Sequence, residues 1–176
     1  MSGSRELAFR LLDVFAPSPY AGNQLCVVPE PGDLDDDAML TITREIAFSE
    51  TTFVTSVDPD GYSVRIFTPD GELPFAGHPT LGTAFVMVSE GRVPSPATQH
   101  VKAGDIPVEV DPSSNEAWMT QLPPEFGTTF GDREAVARAI GLEPGDLRDD
   151  VPLQVVSTGL PPLIVPVRDL ATLRPP

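Results

Sequence analysis

Three short stretches of the chain carry side chains able to move a proton or hold an anion. Gly22-Asn23 is a turn pair, Glu50 follows the end of a helix and precedes a strand, and Gly77-His78 opens an apolar helix. A carboxyl works as a general acid or base once partial burial lifts its pKa toward the working pH. An imidazole beside it can hydrogen-bond that carboxyl or a substrate. The first turn of a helix adds unpaired N–H groups that receive carboxylates or phosphates. Pro79 has no N–H, so Thr80 and Leu81 are expected to supply those donors, and Gly77 lets a ligand approach the backbone closely. Taken together, these residues describe an anion site with a carboxylate and an imidazole near it.

The elements that must position them follow from periodicity and turn chemistry. Leu7 to Phe15 reads as a first strand, stopped by Ala16-Pro17-Ser18-Pro19, and Leu25 to Val28 as a second. Asp35, Asp36 and Asp37 start a helix whose buried stripe is Met39, Ile42, Thr43 and Ile46; it runs out near Phe48 and leaves Ser49-Glu50 in the turn. Thr51 to Thr55 and Tyr62 to Ile66 flank the turn Asp58-Pro59-Asp60-Gly61 as a hairpin with one buried face. Leu81, Ala84, Phe85 and Val88 recur at helical spacing. With Pro79 at the first helical position and Gly91 past the last turn, His78 falls at the N-cap.

Short strands follow at Val101-Lys102, Ile106 to Val110 and Ala117 to Thr120. Pro123 to Thr129 reads as loop, Asp132 caps a helix through Ile140, and Leu153 to Val156 and Leu163 to Val165 are strands. The last strand has no visible neighbour to pair with. Strands grouped around single helices define an α+β class. The loop is the expected boundary between a first domain, 1–123, and the beginning of a second, truncated one, 124–176.

Composition removes several functions. Eleven basic against 26 acidic residues give a formal charge of −15, which repels phosphate backbones and argues against nucleic-acid binding. The single cysteine, Cys26, excludes an intrachain disulfide and a cysteine-based zinc site. It lies in an apolar strand and reads as packing. Arg5, Glu6, Arg10 and Asp13 interrupt any apolar core of a signal peptide, and no stretch is long and apolar enough to span a membrane. The expected setting is cytoplasmic, with neither membrane nor nucleic acid as partner. His100 reads as exposed, Trp118 as packing, and Arg65 as either a polar strand face or half of an ion pair. The acidic run 35–37 is a helix start rather than a metal site, because adjacent residues do not point one way.

The blocks Ser49-Glu50-Thr51-Thr52-Phe53-Val54, Arg65-Ile66-Phe67-Thr68-Pro69 and Glu72-Leu73-Pro74-Phe75-Ala76-Gly77-His78-Pro79-Thr80-Leu81-Gly82 are similar, in order and spacing, to those of the PhzF-like isomerases of phenazine biosynthesis. Gly22-Asn23 fits as well, and the likeness runs from about Leu7 to about Val167. It implies a diaminopimelate epimerase-like fold, in which a mixed, barrel-like sheet wraps a central apolar helix, here Pro79 to Glu90. Two such domains face each other across a cleft.

The resemblance also implies a cofactor-free isomerase with no metal, in which Glu50 acts as general base and then acid on a small carboxylate-bearing metabolite. His78 would hydrogen-bond the substrate or the carboxyl. Asn23, Gly77, Thr80 and Leu81 would line the substrate. The sequence has Gln24 where the phenazine enzyme has proline. It lacks the Asp-x-Ala-Thr-Gly-Ser block by which the family's second domain completes the site. The alternative is a non-catalytic fragment or carboxylate-binding module. Cys26 alone cannot run a two-cysteine racemisation. An exposed half-cleft leaves room for a homodimer.

Overall fold

Alternation along two neighbouring strands sets up the layers. The computed structural model describes residues 6–173; Arg5 and residues 174–176, which belong to the sequence readings above, lie outside them. Strand β1 is Arg10–Val14, β2 is Asn23–Val28, helix α1 is Asp36–Ile46 and β3 is Glu50–Asp58. Strands β2 and β3 run parallel, with Leu25 opposite Glu50. Successive side chains of a strand point to opposite faces. Leu25 and Val27 therefore meet Val86 on one side of the sheet, while Cys26 and Val28 meet Met39, Phe53 and Phe67 on the other.

The sheet continues through β4 (Gly61–Thr68), the short β5 (Gly71–Leu73), helix α2 (Gly77–Ser89), β6 (Ala97–Val101), β7 (Gly104–Asp111) and β8 (Glu116–Met119). Its order is β1-β2-β3-β4-β6-β7-β8, with β5 paired to β4. The pairs β2/β3 and β4/β6 are parallel and the rest antiparallel, so the sheet is mixed. It curls into a half-barrel around α2, which contacts β1, β2, β3, β7 and β8. Ala84 and Met87 of α2 pack with Val54, Tyr62, Phe75, Ile106 and Val108, all buried. Each large side chain fully buried there contributes about 1.5–3 kcal/mol.

Helix α1 covers the outer face against β3 and β4. Asp35 caps it by accepting the Ala38 N–H at 2.8 Å. It ends at Ala47, whose left-handed φ of 59° turns the chain into β3. Glu50 is consequently the first residue of that strand and not part of the turn. Because α1 and α2 cover opposite faces, the hairpin is buried on both sides: Thr51, Thr52, Phe53 and Val54 are all buried. Arg65 pairs with Glu72 through two bonds of 2.8 and 3.0 Å and with Asp36 at 2.6 Å, tying β4 and β5 to α1.

Two readings of α2 change. Its N-cap is Ala76, with no side-chain capping bond, so His78 is the second helical residue and Pro79 the third. Both precede Thr80, the first residue whose N–H finds an acceptor within the helix, so proline costs no bond there. The stripe Leu81, Phe85 and Val88 is only partly buried; Thr80, Gly82, Thr83, Ala84, Val86 and Met87 form the buried surface. A half-barrel closes around most of the helix and leaves one side open. Gly82 is demanded by this packing, since a Cβ there would lie 2.5 Å from Leu25 Cδ2 and 2.9 Å from Val14 Cγ2.

The chain divides into two compact units, Met1–Leu122 and Pro123–Pro176. The second holds β9 (Glu125–Phe130), α3 (Arg133–Ala139), β10 (Leu153–Ser157) and β11 (Leu163–Ile164). Its sheet is antiparallel in the order β11-β10-β9 around Ala137, Leu147 and Leu153. The expected loop 123–129 thus contains a strand. Every residue of β9 is exposed, so it lacks the apolar alternation that would reveal it. The expected unpaired last strand also finds a neighbour, with Val155 opposite Leu163. Among the described residues no helix is long and apolar enough to cross a membrane.

Candidate active site

Asn23 and Glu50 occupy the first positions of the two parallel strands, on the face that looks at α2. The inward residues of β2 are Asn23, Leu25 and Val27, and those of β3 are Glu50, Thr52 and Val54. Lower on this face, Leu25 and Val27 pack on Val86 and the Thr52 hydroxyl bonds that of Thr83 at 2.8 Å. At the end of the sheet the same face presents Asn23 and Glu50 to His78. Asn23 Nδ2 lies 3.1 Å from His78 Nδ1, and Ser49 donates its hydroxyl to Asn23 Oδ1 at 3.2 Å.

His78 Nε2 lies 3.4 Å from Glu50 Oε2, and their side chains are 8% and 16% exposed. The separation is within ion-pair range but is not a hydrogen bond, which favours about 2.9–3.0 Å between heavy atoms. Both atoms are buried without a hydrogen-bond partner among the described residues. Two buried polar atoms that face each other without bonding are each free to bond a third group.

Burial holds the His78 ring below the ordinary imidazole pKa, against the upward pull of the Glu50 charge and a backbone contact from Gln24. The unfolded chain takes up this proton near the ordinary value of about 6.5, whereas the folded ring takes it up only at lower pH. Between the two values the unfolded state binds more protons, so stability falls as pH falls and is fully present above the higher one. The urea midpoint is expected to drop from about pH 7.5 to about pH 5.5 more steeply in the wild type than in His78→Gln. Equal slopes would show that the ring carries no burial penalty.

The N-terminus of α2 is held from inside the half-barrel. Tyr62 donates its hydroxyl to Gln99 Oε1 at 2.9 Å, Gln99 Nε2 donates to Thr80 Oγ1 at 2.9 Å, and Thr80 donates to the Ala76 carbonyl at 2.9 Å. Tyr62, Gln99 and Thr80 have no exposed surface. Burial keeps the Tyr62 phenol protonated far above its usual range, so it remains a donor.

This network revises the expected role of Thr80. Its side chain is structural and its N–H bonds the Ala76 carbonyl at 3.3 Å, so it offers no free amide. The amides ahead of the first intrahelical donor, the Thr80 N–H, are those of Gly77 and His78. Leu81 is elsewhere too. With Gly82 and Phe85 it lines a groove of about 1020 Å³ between the Val14–Pro19 segment and β8, and neither Glu50 nor His78 lines that groove.

Sequence reasoning missed Ser49, Gln99 and Tyr62. Gln99 was legible as the one polar residue among inward positions Ala97, Gln99 and Val101 of β6. Cys26 lies on the outer face, and burial pushes its thiol up to about 11, which leaves it inert. No cluster able to hold a metal ion occurs among the described residues.

The half-barrel around α2 thus carries a carboxyl and an imidazole at the helix's N-terminal end. Residues 12–175 match the phenazine biosynthesis-like protein family, and the chain belongs to that family. It is 32% identical over 162 residues to the uncharacterized isomerase YfhB of Bacillus subtilis, covering 90% of this chain and 55% of that protein.

Over a shorter stretch of 81 residues it is 46% identical to the trans-2,3-dihydro-3-hydroxyanthranilate isomerase of Pseudomonas aeruginosa, covering 46% of this chain and 29% of that enzyme. The solved structure of the predicted epimerase PA4716 of the same organism superposes with a TM-score of 0.81 at 38% identity, covering 92% of this chain and 60% of that one. The fold is thereby diaminopimelate epimerase-like. The chain spans a little over half the length of the full-span relatives it matches.

Proposed function

We propose that this chain carries the proton-transferring side of a cofactor-independent isomerase that acts on a small carboxylate-bearing metabolite. Glu50 takes a proton from a substrate carbon and returns it at another position of the conjugated system, so that the carboxylate is regenerated. The observation that carries this reading is the buried Glu50 Oε2, 3.4 Å from His78 Nε2 and without a hydrogen-bond partner among the described residues. His78 orients the carboxyl or the substrate. Asn23 stands beside it, and the Gly77 and His78 amides are aimed at the substrate carboxylate. Residues 124–176 are read as belonging to a second, similar domain.

Gly77 supports the binding role from an independent direction. A Cβ there would meet only Met119 Cε, at 3.5 Å, which is ordinary contact. Packing therefore does not require glycine, whereas close approach of a ligand would. Gly77→Ala is expected to change stability by less than about 1 kcal/mol and to weaken binding of a carboxylate probe by about tenfold. Calorimetric titration beside a melting curve separates the two effects. Tight binding in the variant would remove Gly77 from the site.

The relative's name supplies a probe, trans-2,3-dihydro-3-hydroxyanthranilate. Turnover followed by its absorbance change tests the reading, and absence of any turnover on this and related dihydroaromatic acids would overturn it. The alternative reading is a carboxylate-binding module without turnover. Binding of the probe without conversion would select it.

A further inference from the structure

The three side chains at the sheet end form a directed chain of hydrogen bonds, and direction has a consequence for the imidazole. Ser49 Oγ donates to Asn23 Oδ1 at 3.2 Å, and in this orientation the Asn23 amide nitrogen faces His78 Nδ1 at 3.1 Å. With the Asn23 amide in this orientation its N–H can only donate, so Nδ1 is the acceptor and carries no proton. The one proton of a neutral ring then resides on Nε2, the atom that faces Glu50 Oε2 at 3.4 Å. His78 is 8% exposed, and burial favours the neutral ring over the cation.

We propose that Asn23, oriented by Ser49, is a positioning residue that fixes His78 as the Nε2–H tautomer, so that the ring presents a donor to the acid/base centre. Asn23 then acts through His78 and need not touch substrate. His78 is thereby a hydrogen-bond donor that orients a carboxylate or a developing negative charge, and the only proton acceptor of the pair is Glu50. The inference rests on the reading of Glu50 as the acid/base residue for its functional meaning, but the tautomer itself stands or falls independently of turnover.

The test is a long-range proton–nitrogen NMR correlation of the 176-residue chain with labelled histidine, at a pH above the ordinary imidazole value. The chain has two histidines, and His100→Gln assigns the spectrum. The expected wild-type pattern has a protonated-type Nε2 and an unprotonated-type Nδ1 signal for His78. Asn23→Asp replaces the donor by an acceptor, and is expected to move the proton to Nδ1 and raise the ring's pKa. Ser49→Ala releases the amide and is expected to blur the pattern toward a mixture of tautomers.

A wild-type ring protonated at Nδ1 would overturn the proposal without any variant. So would an unchanged pattern in an Asn23→Asp protein whose circular dichroism matches the wild type. Glu50-dependent proton exchange that persists alongside either result would leave the acid/base reading intact. Loss of exchange with the expected tautomer would do the reverse.

Discussion

Replacement of Glu50 by glutamine is expected to reduce turnover of the dihydroaromatic probe by at least about 10²–10⁴-fold, the usual contribution of a positioned acid/base group. Glutamine keeps the size and the hydrogen-bonding ends of the side chain but cannot accept a proton. Structural damage should be small, because Glu50 Oε2 makes no hydrogen bond within the described residues that the substitution could break. The unfolding free energy is accordingly expected to stay within about 1 kcal/mol of wild type. Initial rates on the probe, with a urea titration on the same preparation, check both halves. A variant that keeps more than a tenth of wild-type turnover would move the chemistry to another residue.

Gln99→Leu is expected to have the largest effect on stability. Gln99 is fully buried and bridges Tyr62 to Thr80, accepting from the phenol and donating to the hydroxyl. Leucine fills a similar volume but does neither, so the Tyr62 hydroxyl is left without an acceptor inside the core. A buried polar group stripped of its partner costs about 1–3 kcal/mol, and Thr80 loses its incoming donor as well. A total of about 3 kcal/mol is expected, a large share of the 5–15 kcal/mol that holds most domains together. Tyr62→Phe combined with Gln99→Leu should recover part of the loss, because removing both partners leaves fewer orphans. If the double variant is as unstable as the sum of the single ones, the bridge is not what holds the residues.

The polarity of this core explains which features of the fold could be read from sequence. A short apolar run announces β2, β-branched and aromatic residues announce β3, period-two alternation announces β4, and the acidic start of α1 announces its cap at Asp35. Alternation was silent about β9, whose six residues are all exposed. It was incomplete for β3, because one strand cannot report that a helix covers each of its faces. The site was legible in its members more than in its geometry. Asn23, Glu50 and Gly77-His78 come from three separate stretches, and the parallel register of β2 and β3 brings the first two to one sheet end.

The errors at α2 have a common origin. Proline at the first helical position is the common pattern, but any of the first three positions tolerates a missing N–H, and Pro79 takes the third. Shifting the helix start back to Gly77 moves His78 from a cap into a buried position. The same shift engages the Thr80 amide within the helix, and the free donors become those of Gly77 and His78. Leu81 then falls on the open side of the half-barrel, toward the groove beside β8.

The most direct test of Glu50 as the proton carrier is solvent deuterium uptake. The probe is incubated in D2O with wild-type protein and, in parallel, with Glu50→Gln, and deuterium on ring carbon is read by mass spectrometry. Uptake at one carbon position with the wild type and none above the protein-free control with the variant is the expected result. Equal uptake with both proteins, or none with the wild type while the probe is bound, would contradict proton transfer by Glu50.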